Sequence, residues 1–135
     1  MDFEADWEPL TVYDYEVSPP LDKLIRHVLK IIPNKYLEEF PSFSVSESVS
    51  PWSAHVEREN IEDEGKITFD PKLLTMPKSV AIGIIAHEFA HLFLGHIGHG
   101  GLKDEDAADA LASQWGFAKE VKALRRKLGP TTEGG

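Results

Sequence analysis

Apolar residues follow three different rhythms along this chain. Leu21, Leu24, Ile25, Val28, Leu29 and Ile32 recur at three- and four-residue intervals up to Pro33, which predicts an amphipathic helix over 20–32. Alternation replaces that period in Phe43-Ser44-Val45-Ser46, in 52–58 and in Lys66-Ile67-Thr68-Phe69, and each run predicts a short strand. The polar turn Glu62-Asp63-Glu64-Gly65 makes 52–58 and 66–69 a hairpin with a long loop, ended by Asp70-Pro71. From Ser79 the pattern changes again. Val80 to Ala86 is apolar all round and the run continues through Phe89, Ala90, Leu92, Phe93 and Leu94, as in a helix buried on nearly every side. Ser79 is the expected N-cap, and Gly95 with Gly98, Gly100 and Gly101 marks the exit. A second helix is expected from about Asp104 to Trp115, interrupted at Gly116, and a last one from Phe117 to Leu128 before Gly129-Pro130.

These elements predict an α+β domain: an N-terminal helix, a short, mainly antiparallel sheet of about three strands, a buried helix, and two further helices. At 135 residues the chain is expected to form a single domain, with 1–20 as an acidic arm and 129–135 as a flexible tail. The arm carries Asp2, Glu4, Asp6, Glu8, Asp14 and Glu16 among aromatic residues that are expected to dock part of it. With 23 acidic against 14 basic residues the net charge is -9, which argues against a nucleic-acid partner. The absence of cysteine excludes thiolate ligands and a thiol nucleophile and leaves histidine and carboxylate chemistry. Val80–Leu94 is interrupted by His87, Glu88 and His91 and is too short to span a bilayer, so no membrane partner is expected. The acidic start is unlike a secretory signal, and the expected localisation is cytoplasmic.

The buried helix contains His87-Glu88-Phe89-Ala90-His91, an H-E-x-x-H. At about 100° per residue the two histidines stand one turn apart on the same face, where both imidazoles can reach one metal ion, and the spacing fits Zn²⁺. Glu88 lies about 60° to the far side of His91, the position of a general base that acts on a metal-activated water. A chain with six histidines yields roughly 0.03 such matches by chance. Burial sharpens the reading, because two histidines and a glutamate among Ile84, Ile85, Phe89, Leu92 and Phe93 need partners, and a metal supplies one. The bland alternative is a hydrogen-bonded core cluster without an ion.

A catalytic zinc needs a third protein ligand. His96 and His99 are candidates, but Gly95 and His96 fall at the wrong offsets for the metzincin pattern H-E-x-x-H-x-x-G-x-x-H. Carboxylates in Asp104-Glu105-Asp106 and at Asp109 are the other candidates. Residues 105, 108, 109 and 112 share a helical face on which Ala108 and Ala112 permit close approach. Glu105 can then enter the ligand set, and Asp109 can accept the second ring N–H of a metal-bound histidine.

Residues 67–112, about a third of the chain, resemble the core of the gluzincin-type zinc peptidases, whose H-E-x-x-H is followed on a separate helix by E-x-x-A-D or E-x-x-A-N, here Glu105-Asp106-Ala107-Ala108-Asp109. The stretches Gly65–Pro71 and Ile84–His96 are similar to single-domain minimal gluzincins and to the ImmA/IrrE-like intracellular metallopeptidases. The resemblance implies a zincin-like fold, zinc on His87, His91 and Glu105, Glu88 as base and Asp109 as helper. It also implies that the strand Lys66, Ile67, Thr68 and Phe69 is the sheet edge that binds a peptide or protein substrate in extended form. The expected activity is zinc-dependent peptide hydrolysis. The alternatives are a zinc-binding regulatory or interaction module with an inactive site, and a latent enzyme whose acidic arm or basic C-terminal helix covers the cleft.

Overall fold

The computed structural model describes residues 12–40, 43–49, 54–57, 65–95 and 102–128. Its first helix, α1 (Pro19–Ile31), buries Leu21, Ile25, Val28 and Leu29, as the helical period requires. Pro19 suits the first helical position because its fixed φ is already helical and its missing N–H is not needed there. Pro33 ends the element by forcing Ile32 into an extended conformation. A single turn, α2 (Asn34–Leu37), then leads into the sheet.

The sheet differs from the expected one. It has four strands, β1 (Val12–Glu16), β2 (Phe43–Glu47), β3 (Ala54–Glu57) and β4 (Gly65–Phe69), in the order β1-β2-β4-β3. β1 pairs parallel with β2, from Val12 opposite Phe43 to Glu16 opposite Ser46, and β2 pairs parallel with β4. The β3–β4 pair is antiparallel, with Ala54 opposite Phe69 and Glu57 opposite Lys66, so the expected hairpin is present. The prediction of about three mainly antiparallel strands is therefore corrected. α1 carries the chain back between β1 and β2, and β4 inserts between β2 and β3, so two of the three pairings are parallel. In the arm expected over 1–20, Val12–Glu16 is extended and hydrogen-bonded into the sheet beside β2. Aromatic and β-branched residues in that stretch favour an extended backbone despite its acids. The rest of the arm and the expected tail at 129–135 lie outside the described residues.

After β4, Asp70 accepts a hydrogen bond from the Lys72 amide at 2.8 Å and caps the 3₁₀ turn Pro71–Thr75. The long helix α3 (Lys78–Leu94) follows, and every residue from Val80 to Leu92 is buried. It starts before Ser79, with Pro77 at the N-cap position, and ends at Gly95, which takes the left-handed conformation (φ 76°) that glycine adopts without steric cost. α3 packs against α1, against α4 (Leu102–Ala112), against α5 (Ala118–Leu128) and against β3, so it has no solvent face to make polar. A Cβ on Gly83 would lie 2.5 Å from the Glu120 carbonyl oxygen, so glycine is what lets α5 cross α3 in backbone contact. Between α4 and α5 the turn Ser113–Phe117 is π-helical, and Gly116 breaks the helix at φ 120°. The buried apolar residues form one core, fed by α1, α3, α4, α5 and the strands. The fold is α+β. Among the described residues no helix is long and apolar enough to cross a membrane.

Candidate metal centre

Helical spacing brings His87 and His91 together as expected, with their Nε2 atoms 3.1 Å apart and their ring planes perpendicular. α4 approaches this face of α3 through Ala108 and Ala112, both fully buried. That proximity places Glu105 across both imidazoles, with Oε1 2.9 Å from His87 Nε2 and Oε2 3.2 Å from His91 Nε2. Asp109, one turn further along α4, lies with Oδ1 2.7 Å from His87 Nδ1. Among the described residues His87, His91 and Glu105 form a group of buried donors able to hold a metal ion.

The chemistry of these donors is unusual for a core. An ionised carboxylate only accepts hydrogen bonds, so the contact with Asp109 puts a proton on His87 Nδ1. The Nε2 lone pair of a neutral His87 then faces a Glu105 oxygen and the Nε2 of His91 at hydrogen-bond distance. Electron pairs so placed repel unless something positive lies between them. In the metal-free protein the Nε2–H of a neutral His91 or a second proton on His87 fills that role, according to the tautomers. Burial works against charge on this ring, yet the hydrogen bonds to Asp109 and Glu105 and the charges of Glu88 and Asp109 outweigh it, and the pKa rises from 6.5 to about 9. Burial likewise opposes ionisation of Glu105, but hydrogen bonds from His87 and His91 prevail and lower its pKa to about 2. Asp109 is also held below the ordinary range, where its bonds with His87 and Arg125 overcome the cost of burial.

The same three residues offer ligand atoms close enough together to hold a metal ion. Tetrahedral ligands about 2.0–2.1 Å from zinc sit about 3.3–3.4 Å from one another. The two Nε2 atoms are 3.1 Å apart, and Glu105 turns one carboxylate oxygen to each, Oε1 to His87 at 2.9 Å and Oε2 to His91 at 3.2 Å, separations close to those of ligands on one ion. Glu88 is 3% exposed on the adjacent stripe of α3, near enough to feel His87, His91, Glu105 and Arg125 electrostatically. Burial is the dominant influence on its carboxyl and raises its pKa.

The structure thus assembles His87, Glu88, His91, Glu105 and Asp109 in one place. His96 and His99, the other candidate ligands, lie outside the described residues. The expectation that Lys66, Ile67, Thr68 and Phe69 form the sheet edge is corrected, because β4 is interior and is bonded to β2 on one side and to β3 on the other. A strand with both ladders occupied has no row of free N–H and C=O groups for a peptide. The basic C-terminal helix is built into the core through its buried Val121 and Leu124.

One participant escaped the sequence reading. Arg125 donates from Nε to Asp109 Oδ2 at 2.8 Å and from Nη2 to Asp109 Oδ1 at 3.0 Å, extending the chain His87–Asp109 to a third residue. The only available signal was its place beside Leu124 and one turn after Val121, on the flank of the buried face of α5. Compared with known proteins, the chain matches no family model, no curated protein and no solved structure, so the functional reading stands on this geometry.

Proposed function

We propose that this chain is a zinc-dependent peptidase with a zincin-like arrangement, in which His87, His91 and Glu105 hold the metal and Glu88 is the general base. The observation that supports it is the convergence of three buried donors, one on each of two helical turns and a third on a separate helix, beside a buried glutamate. Bound zinc would supply a Lewis acid for the scissile carbonyl and for a water molecule. Glu88, whose proton affinity is raised by burial, is suited to take a proton from that water and return it to the leaving amine. Asp109 keeps the proton of His87 on Nδ1, which would leave Nε2 as the nitrogen that binds a metal. With β4 interior, the antiparallel edge strand β3, which packs against α3, is the place for an extended peptide or protein substrate to add as a further strand.

A second reading is a zinc-binding regulatory or interaction module with a closed site. It is favoured by the burial of the donors, with His87 and Glu105 each 2% exposed. Glu88→Gln separates the two, because the amide keeps the shape and loses the basicity. Zinc-loaded wild type is expected to cleave members of a peptide mixture, followed by mass spectrometry, and Glu88→Gln to cleave them at least about a hundredfold more slowly with unchanged zinc content. Equal rates would remove Glu88 from the mechanism. No cleavage by fully zinc-loaded wild type would favour the closed module.

A further inference from the structure

Asp109 is held from two sides. His87 Nδ1–H donates to its Oδ1, and the guanidinium of Arg125 donates to both carboxylate oxygens. Oδ1 therefore accepts two bonds at once, and the plane of the carboxylate is set by the two-pronged contact with Arg125. Such forked pairs fix orientation in a way that a single bond from a point charge does not.

The fold goes to some length to make this contact. Asp109 and Arg125 are 16 residues apart. In one continuous helix their Cα atoms would be about 24 Å apart, at 1.5 Å per residue. The π-helical turn and the left-handed Gly116 fold α5 back, and glycine at position 83 lets α5 lie directly on α3 one turn before His87. Both side chains are mostly shielded from water, at 16% and 25% exposure, so the pair is weakly screened compared with a surface ion pair.

We propose that Arg125 is a positioning residue of the metal centre: by clamping Asp109 it holds His87 in the tautomer and ring orientation that presents Nε2 to an ion. The proposal rests on the metal reading above. Arg125 makes its two hydrogen bonds to Asp109, and its charge is also felt by Glu88. Its loss leaves the Asp109 carboxylate free to rotate, and His87 loses its fixed partner.

The experiment uses the full chain with zinc alone as the probe, measuring dissociation constants by competition with a chelator of known affinity. The proteins are wild type, Arg125→Met, Arg125→Lys, Asp109→Asn and the double variant Asp109→Asn with Arg125→Met. Loss of such outer partners costs about 10–100-fold in metal affinity, and Arg125→Met is expected at the lower end, about tenfold weaker than wild type. Arg125→Lys keeps the charge without the fork and is expected to recover only part of that loss, and it carries the test if the Met variant does not fold. In the Asp109→Asn background Arg125→Met should change zinc affinity less than about twofold, because the relay is already broken. Unchanged zinc affinity in Arg125→Met and Arg125→Lys overturns the proposal, and so does an equal loss in both backgrounds, which would make Arg125 a helix-docking contact only. A wild type that binds no zinc overturns the metal reading and this proposal with it.

Discussion

Phe89 and His91 stand two residues apart on α3, and both are buried, yet their surroundings are satisfied by different means. Phe89 packs edge-on against Phe43, with ring centroids 5.5 Å apart, and against Phe40, in an aromatic group that continues through Phe93, Trp115 and Tyr36. Dispersion and edge-to-face contacts hold that side without an ion, although the buried indole N–H of Trp115 has no hydrogen-bond partner among the described residues. The side bearing His87, His91 and Glu105 brings lone pairs against one another and is complete only with a proton or a cation. One helix thus carries a face that stabilises the fold unconditionally and a face whose contribution depends on what occupies it.

The largest effect is expected on the aromatic face. Phe89→Ala should cost about 3–5 kcal/mol in chemical denaturation, by lost burial and the cavity left behind. The loss should be the same with and without zinc. A zinc-dependent loss would show that the two faces are coupled and break the contrast. On the polar face the expected effect is smaller and conditional. Zinc at about a hundredfold excess over its dissociation constant should stabilise wild type by roughly 2.7 kcal/mol, several degrees in melting temperature, and His91→Ala should show none of it. Identical melting curves for metal-free and zinc-loaded wild type would favour the ion-free core cluster.

A gentler probe is the pH dependence of the metal-free protein. His87 has a folded pKa of about 9 against 6.5 unfolded, so its contribution is fully present below about 6.5 and is lost as pH rises through about 9. Glu105 has a folded pKa of about 2 against 4.5 unfolded, so its contribution is present above about 4.5 and is lost as pH falls toward 2. Metal-free stability should therefore decline on the alkaline side. Phe89→Ala should lower the whole curve without changing its shape, and a wild-type curve flat to pH 10 would contradict the proton-filled site.

The contrast between the faces also explains what could be read in advance. The pairing of His87 with His91 follows from helix geometry alone, and the approach of Glu105 and Asp109 follows from Ala108 and Ala112, so these residues were legible as a set. Strand direction was not. The alternation in Phe43–Ser46 and Lys66–Phe69 fixes which residues share a face, but parallel or antiparallel pairing depends on where the chain reverses, and α1 with β3 decided that. β1 was read only as part of an extended, partly docked arm because Asp14 and Glu16 break the apolar alternation of Val12–Glu16 that would mark a strand. Arg125 was hidden for a similar reason. In a run of basic residues only its place one turn after Val121 separates it from Arg126, and its partner is reached only through the bend at Gly116.

The central claim is that His87, His91 and Glu105 form a metal site, and elemental analysis after extensive dialysis tests it most directly. Wild type is expected to retain about one zinc per chain, and Glu105→Ala to retain much less under the same dialysis. Wild type without any bound transition metal, or Glu105→Ala holding zinc as tightly as wild type, would contradict the account.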